Sequence, residues 1–164
     1  MADYVDNKLT IKCKDNNHKE KIKKVIFKHN DNNEPVFTMA KLLPRPEGFD
    51  ENPEYSEIGY HWSNAVWGTK WDARYSDIFE SGNTIGIMYQ TAWDANIPWV
   101  WTLCEFIKEI SFSLDKQEFK DVTVTHFYFD EYEDSGELMT WKFIDNSYDI
   151  EKNIKVSDQI PEWV

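Results

Sequence analysis

The order of its amphipathic segments constrains the fold of this chain more than any other feature. Leu9, Ile11 and Cys13 alternate with polar residues, and this period-2 pattern predicts a strand with one buried face. Asn17 is a suitable N-cap with Glu20 three residues later, so a helix is predicted to begin there. The i, i+3, i+4, i+7 spacing of an amphipathic helix is met by Ile22, Val25, Ile26 and His29.

Further strands are predicted downstream of this helix. The segment 36–43 is predicted to be extended and to end at Pro44, because proline cannot donate to a strand ladder. Residues 77–80 and 84–91 are predicted to form a hairpin around Gly82.

A second helix is predicted to begin near Asn96, which can cap it, and Pro98 is tolerated in its first turn. Its apolar stripe, about four turns long, contains Val100, Leu103, Cys104, Ile107 and Ile110. Strands over 122–132 and 138–144, and a short strand over 150–154, complete the predicted elements.

The predicted elements follow the order of a split βαβ, or ferredoxin-like, sandwich: strand, helix, strand, insertion, strand, helix and strand. We therefore predict an α+β fold in which an antiparallel sheet carries two main helices on one face. Residues 1–164 are predicted to form one domain, with a Trp-rich insertion at about 44–76 and a C-terminal strand extension. A chain of 164 residues buries roughly 70% of the surface that its unfolded form exposes, so it needs no metal or disulfide to fold.

Charge is unevenly distributed along the chain. The net charge of −12 combines +4 in residues 1–30, which contain eight Lys, with −16 in residues 31–164. Arg45 and Arg74 are the only arginines, although arginine is the usual bidentate ligand of phosphate and guanine. The composition therefore argues against nucleic acid as a partner and fits better either a protein with a basic surface or no partner at all.

Several classes of protein are excluded by composition. Two cysteines, Cys13 and Cys104, cannot form a disulfide scaffold or a Cys-rich zinc module, and both lie on predicted buried faces. No apolar stretch reaches the length of about 18 residues that a membrane span needs, and the first residues lack the features of a signal peptide. There is no glycine-rich phosphate loop. The prediction is a cytoplasmic protein with no cofactor, no metal and no membrane contact.

Tryptophan is concentrated in the middle of the chain, with six of the eight Trp between residues 62 and 101. One interpretation is that the rings form a small core packing the insertion over the sheet, and this is preferred because aromatic rings are usually buried. The other is a binding surface, since Trp is enriched at interfaces. The candidate residues for that surface are Trp62, Trp67, Lys70, Trp71, Asp72 and Trp93.

Four segments carry a resemblance to a known family. They are Asn-Lys-Leu-Thr-Ile at 7–11, Leu-Leu-Pro-Arg-Pro at 42–46, Trp-Gly-Thr-Lys-Trp-Asp at 67–72 and Tyr-Gln-Thr-Ala-Trp at 89–93. In this order they resemble the YubB-type ferredoxin-like domain family, small proteins encoded largely on bacterial plasmids and phages. The resemblance covers about residues 7–143, but the family's usual Ser-Pro-Pro after Thr-Ala-Trp is replaced here by Asp-Ala-Asn-Ile-Pro. It implies a ferredoxin-like fold and a mobile-element origin, and it implies no catalytic residues.

Candidates for enzyme chemistry are few. The four histidines, His18, His29, His61 and His126, have no partner at a metal-binding spacing. His61 is the best-placed candidate base, near Lys70, Asp72 and Trp93 if the two Trp motifs meet, with Asp94 close by. A small-ligand enzyme at this place is kept as an alternative, but the prediction is that the protein is not an enzyme.

Acidic residues are concentrated at one predicted strand end and turn. Five of them lie within eight positions: Asp130, Glu131, Glu133, Asp134 and Glu137. They are either a solvated turn that protects a sheet edge or part of an acidic face that steers a basic partner or mimics nucleic acid. The wider face would add Asp115, Glu118, Asp121, Asp145 and Asp149.

The leading hypothesis is a non-catalytic interaction protein of a phage or plasmid, which binds a host or phage protein and in a sharper form inhibits a host nucleic-acid-binding defence protein. The alternative is a nucleic-acid-binding domain that uses the Lys-rich first helix and a platform of sheet aromatics. That platform would consist of Phe127, Phe129, Trp141 and Phe143.

Overall fold

The computed structural model describes residues 3–47, 57–114, 122–133, 135–144 and 147–157, and it has an α+β fold. Among these residues it contains three helices and two antiparallel sheets. The elements in chain order are β1 (Tyr4–Lys12), α1 (Asn16–Ile26), β2 (Phe27–His29), β3 (Pro35–Phe37), α2 (Glu57–Val66), β4 (Arg74–Ser81), β5 (Thr84–Ala92), α3 (Ile97–Leu114), β6 (Thr123–Asp130), β7 (Ser135–Ile144) and β8 (Ser147–Ser157).

The larger sheet has six strands in the order β4-β5-β1-β6-β7-β8, and all neighbouring strands are antiparallel. β1 lies inside the sheet, where Leu9 pairs with Ile87 of β5 and with His126 of β6. Because side chains alternate along a strand, this register places Leu9, Ile87 and His126 on one face. That face is covered by helices, and the opposite face is called the open face below.

The core lies between the sheet and the helices. Ile22 and Ile26 of α1 and Leu103 of α3 join the same buried cluster as Leu9 and Trp141 of the sheet. The predicted stripe of α3 is confirmed, since its first four members are buried and the fifth is partly buried. Both cysteines are buried and free, as predicted.

The first helix begins differently from the prediction. Asp15 is its N-cap: the residue is extended, and its side chain accepts a 2.7 Å hydrogen bond from the backbone N–H of His18. Asn17 lies inside the helix, so the predicted cap was two residues late. The helix also ends at Ile26, and the predicted apolar-face residue His29 lies exposed in β2.

The extended run predicted over 36–43 was too long. Only Pro35–Phe37 forms a strand, and it pairs with β2 in a separate two-stranded sheet. The following residues are turns stabilised by Asp72, whose carboxylate accepts hydrogen bonds from the Thr38 hydroxyl and the Met39 N–H at 2.6 and 2.7 Å. A side-chain contact over more than thirty residues therefore ends this strand, which a local pattern does not predict.

The later elements agree with the sequence prediction. The hairpin around Gly82 forms, with φ +56° at that glycine, and the strands near 122–132, 138–144 and 150–154 are present with adjusted ends. Asn96 precedes the first residue of α3, as expected for a cap, but its side-chain oxygen accepts from the Tyr89 hydroxyl instead. The described part of the insertion contains α2, which ends in a turn at Gly68.

Candidate binding site at the acidic end of the sheet

A pocket of about 280 Å³ lies where β5 and β6 end and β1 begins. Val5 of β1 forms its floor because it pairs with Thr91 of β5 on one side and Asp130 of β6 on the other. The chain leaving β5 and the turn leaving β6 therefore approach each other across β1. The lining residues are Val5, Trp93, Asp94, Tyr128, Asp130, Glu133, Ser135, Gly136 and Glu137.

Among the described residues, four carboxylates line this pocket, and no Lys, Arg or His does. Asp130, Glu133 and Glu137 come from the acidic run, whereas Asp94 follows the second Trp motif. Like charges that line one pocket repel each other, and a cation that enters the pocket reduces that repulsion. The pocket is therefore electrostatically suited to a positively charged group.

The ionisable groups of the pocket influence each other. Partial loss of hydration raises the pKa of Asp94, although the residue as a whole stays exposed, and the charges of Asp130 and Glu133 raise that pKa further. The backbone N–H of Ala95 donates to its carboxylate at 2.8 Å and opposes the rise. Tyr128 donates its hydroxyl to Glu137 at 2.8 Å, and burial raises the pKa of Tyr128.

Trp93 forms one wall of the pocket and keeps 43% of its surface exposed. Its backbone is in the left-handed region at φ +72°, which is unusual for a bulky residue, and its N–H donates to the Asp3 carbonyl at 2.8 Å. The Lys70 ammonium lies 4.5 Å from the centre of its ring. The indole therefore forms a cation–π contact within the chain, and the Tyr60 ring packs edge-on against it at 5.6 Å.

The buried residue Thr69 positions this wall. Its hydroxyl donates to the Ala92 carbonyl at 2.9 Å and accepts from the Ala92 N–H at 2.9 Å. Gly68 makes the preceding turn at φ +80°, and a Cβ there would lie 2.4 Å from Pro98 Cδ at the start of α3. The Trp-Gly-Thr-Lys-Trp segment therefore fixes the end of β5 directly before Trp93.

The other predicted tryptophans are mainly packing residues. Trp67 is buried and donates its indole N–H to the Leu43 carbonyl, Trp71 is nearly as buried, and Trp62 packs edge-on against Trp67 at 5.1 Å. Both arginines stack on these rings: Arg45 lies over Trp67 and Arg74 over Trp71. Of the six residues proposed for the aromatic surface, only Trp93 lines the acidic pocket.

Asp72 and His61 have different environments. The Asp72 carboxylate accepts hydrogen bonds from the Thr38 hydroxyl and from the N–H groups of Met39, Ala40 and Ala73. Its oxygens are engaged in holding the loop after β3. His61 is exposed on α2 with its ring edge-on to Tyr60 at 5.3 Å.

The acidic run is only partly brought together. Glu131 is exposed in the turn after β6 but does not line the pocket. Asp134 lies outside the described residues, as do Asp115, Glu118, Asp121 and Asp145, and the side chain of Asp149 is likewise not described.

Sequence reasoning missed a buried polar network behind the pocket. The Asn7 side-chain amide donates to the Val5 carbonyl and the Thr91 hydroxyl, and Thr91 donates to the Asp94 carbonyl at 2.8 Å. His126 Nε2 lies 2.9 Å from the Asn7 side-chain oxygen. The sequence signal for this network is the presence of polar residues, Asn7, Thr91 and His126, at strand positions that face inward.

Within the described ranges, no group of three or more His, Cys, Asp or Glu has an arrangement that could hold a metal ion. None of the described helices is long and apolar enough to cross a membrane. Comparison with protein-family models, with curated proteins and with solved structures gives no match.

Proposed function

We propose that this protein is a non-catalytic interaction module that binds a basic protein by taking a lysine or arginine side chain of that partner into the pocket beside Trp93. The observation that carries the proposal is the convergence of Asp94, Asp130 and Glu133 with an exposed indole. Carboxylates supply charge-assisted hydrogen bonds to an ammonium or guanidinium, and the ring face supplies a cation–π contact. These are the interactions that recognise a cationic side chain.

The fold behind this module is proposed to be ferredoxin-like. The strand order β4-β5-β1-β6 supports this, because β1 and β4 are joined through α1 with β5 between them, and β5 and β6 are joined through α3 with β1 between them. In this description, residues between α1 and β4 are the insertion, and β7 and β8 extend the sheet. The resemblance to the YubB-type family rests on the sequence motifs and adds the proposal of a phage or plasmid origin.

The sharper form of the proposal is an acidic inhibitor of a host nucleic-acid-binding defence protein in the bacterial cytoplasm. A nucleic-acid-binding surface is rich in Lys and Arg, so it presents the side chains that this pocket accepts. The acidic pocket would then occupy such a surface and exclude the nucleic acid electrostatically.

Two alternatives have less support. Trp141 is buried on the helix-covered face, whereas Phe127 and Phe129 are on the open face, so these rings do not form one platform. The lysines of α1 lie on the covered side, away from Phe127 and Phe129, which weakens a nucleic-acid-binding function.

A small-ligand enzyme at His61 has no free carboxylate in Asp72, since that group is engaged by four donors.

Binding of acetylated octalysine, measured by titration calorimetry at low salt, tests the proposal. Glu133→Lys is expected to weaken binding about tenfold or more, because the added ammonium occupies the pocket. Glu131→Lys is the matched control, since it makes the same change of net charge in the same turn but outside the pocket. A weakening of less than about threefold is expected for it. Equal effects of the two variants would mean that the peptide senses only net charge, and the pocket would lose its proposed role.

A further inference from the structure

The open face of the sheet contains a groove of about 360 Å³, on the face opposite to the acidic pocket. It is lined by residues of β1, β4, β5 and β6: Asp6, Asn7, Lys8, Tyr75, Asp77, Met88, Tyr89, Gln90, Phe127 and Phe129. Asp6 pairs with Phe129 in the sheet, one step from the pair of Val5 with Asp130 in the acidic pocket. The two concavities therefore lie at the same end of β1 and β6, on opposite faces of the sheet.

The groove exposes apolar side chains that the core does not use. Tyr75 is 76% exposed and Met88 is 43% exposed. Phe79 is not a lining residue of the groove, but it is partly exposed on the same face and lies over Gly86, where a Cβ would meet its ring at 1.8 Å. Neighbouring apolar side chains of this size left in water are typical of a surface that another molecule covers.

Tyr75, like Trp93, has a left-handed backbone conformation. Tyr75 has φ +52°, and the β4–β5 register shifts between Arg74 and Asp77. A bulge redirects side chains locally, and a left-handed backbone is unfavourable for an aromatic residue. Two exposed aromatic residues of the described chain are thus held in this conformation, and each lines one of the two concavities.

The charge of the groove indicates what occupies it. Asp6 and Asp77 are both lining residues, and Asp6 accepts a 2.9 Å hydrogen bond from the Gln90 amide. Lys8 also lines the groove, with its ammonium 5.5 Å from the centre of the Phe79 ring, so that two carboxylates and one ammonium are among the described lining residues. An apolar groove bordered by carboxylates complements an apolar side chain flanked by basic residues, and it disfavours both phosphate and a second copy of this acidic chain.

We propose that the groove formed by Tyr75, Met88 and Phe129 is a second docking site for the same basic partner, and that it binds apolar side chains of a segment whose lysine or arginine occupies the acidic pocket. This inference rests on the proposed function, and it adds the chemistry of the partner: a segment in which basic and apolar residues are interspersed. The segment crosses the end of β1 and β6 to reach both concavities.

Two defined peptides test it: acetylated octalysine, and an octapeptide that alternates lysine with leucine. The alternating peptide is expected to bind about tenfold tighter despite its lower charge, because its leucines lose water against the groove. The chain is labelled with 13C at its methionine methyl groups. The signal of Met88 should shift with the alternating peptide and stay unchanged with octalysine. The buried residues Met39 and Met139 provide internal references.

Met88→Asn separates this inference from the proposed function. It should abolish most of the advantage of the alternating peptide and leave octalysine binding unchanged, whereas Ile58→Asn, at an exposed apolar position on α2, should change neither. Equal affinities of the two peptides, or equal effects of the two substitutions, would overturn the docking site while leaving the acidic pocket in place. Loss of discrimination between Glu133→Lys and Glu131→Lys would instead refute the proposed function. Tighter binding of a uridine oligonucleotide than of either peptide would overturn both.

Discussion

His126 gives the structure a measurable pH dependence of stability. The side chain is fully buried, its Nε2 lies 2.9 Å from the Asn7 side-chain oxygen, and its Nδ1 has no hydrogen-bond partner in the part of the chain that the structure describes. Because the Asn7 amide nitrogen donates to Val5 and Thr91, its oxygen must accept, so Nε2 carries the proton of a neutral imidazole. Burial lowers the pKa of His126 to about 3 from 6.5.

The sign of the effect follows from proton binding. Between about pH 6.5 and pH 3 the unfolded chain protonates this histidine and the folded chain does not, so unfolding takes up a proton. Stability therefore falls as the pH falls, by about 1.4 kcal/mol for each pH unit in this range. Between about pH 7 and pH 4.5 the loss that His126 contributes amounts to about 2.5 kcal/mol.

His126→Gln isolates this contribution. The Gln amide can place a donor near the Asn7 oxygen but does not titrate, so the variant lacks one source of acid destabilisation. We measure the free energy of unfolding of both proteins by urea denaturation. The value for the variant minus the value for wild type is expected to rise by about 2.5 kcal/mol when the pH is lowered from about 7 to about 4.5. His18, whose pKa is also lowered by burial, remains in both proteins and cancels in the difference.

The absolute cost of His126→Gln at neutral pH does not decide the test, because only its change with pH reports the imidazole. His29→Gln is the control for removing a histidine from an exposed position, and at pH 7 its free energy of unfolding should lie within about 0.5 kcal/mol of that of wild type. Parallel pH curves for wild type and His126→Gln would refute the assignment of a neutral, buried imidazole.

Three further predictions concern packing and are measured by denaturant unfolding at pH 7. Asp72→Asn should cost about 2–3 kcal/mol, because the amide nitrogen cannot accept the hydrogen bonds that one carboxylate oxygen accepts; a loss below about 0.5 kcal/mol would contradict its structural role. Trp67→Ala should cost about 3–5 kcal/mol and Trp93→Ala less than about 1 kcal/mol, because only the ring of Trp67 is fully buried; similar losses for the two variants would show that the Trp93 ring is as buried as the Trp67 ring. Gly136→Ala should cost more than Gly86→Ala, because a Cβ at Gly136 would lie 2.2 Å from the Tyr128 carbonyl oxygen, whereas at Gly86 it meets only a movable, partly exposed ring; the reverse order would contradict this.

Local patterns predicted the regular elements because each depends on residues close in sequence. The alternation at Leu9 and Ile11 and the stripe of α3 both mark buried faces that hold in the structure. The errors occur where a distant residue decides the outcome. Asp72 stabilises the turns where the strand over 36–43 was expected. The register of β6 with β7 pairs Trp141 with Val124, so Trp141 and Phe127 lie on opposite faces of the sheet.

The candidate site could be predicted only in separate parts. The acidic run and the Thr-Ala-Trp motif were each recognised, but 37 positions separate Trp93 from Asp130. They meet because β1 pairs with β5 and β6 at once, with Val5 opposite both Thr91 and Asp130. Pairing of that kind depends on the whole sheet, so no window of sequence contains it.

The two Trp motifs together form one wall of the acidic pocket. Trp67 is buried and therefore not accessible from solvent. The segment that Trp67 anchors places Thr69 against Ala92 through two hydrogen bonds. That contact holds the end of β5, and the left-handed backbone of Trp93 then turns the indole into the acidic pocket. A left-handed conformation is unfavourable for an aromatic residue and persists only where its surroundings fix it. The buried rings of the insertion therefore support the segment that keeps one exposed ring beside four carboxylates, and the proposed recognition of a cationic side chain depends on that arrangement.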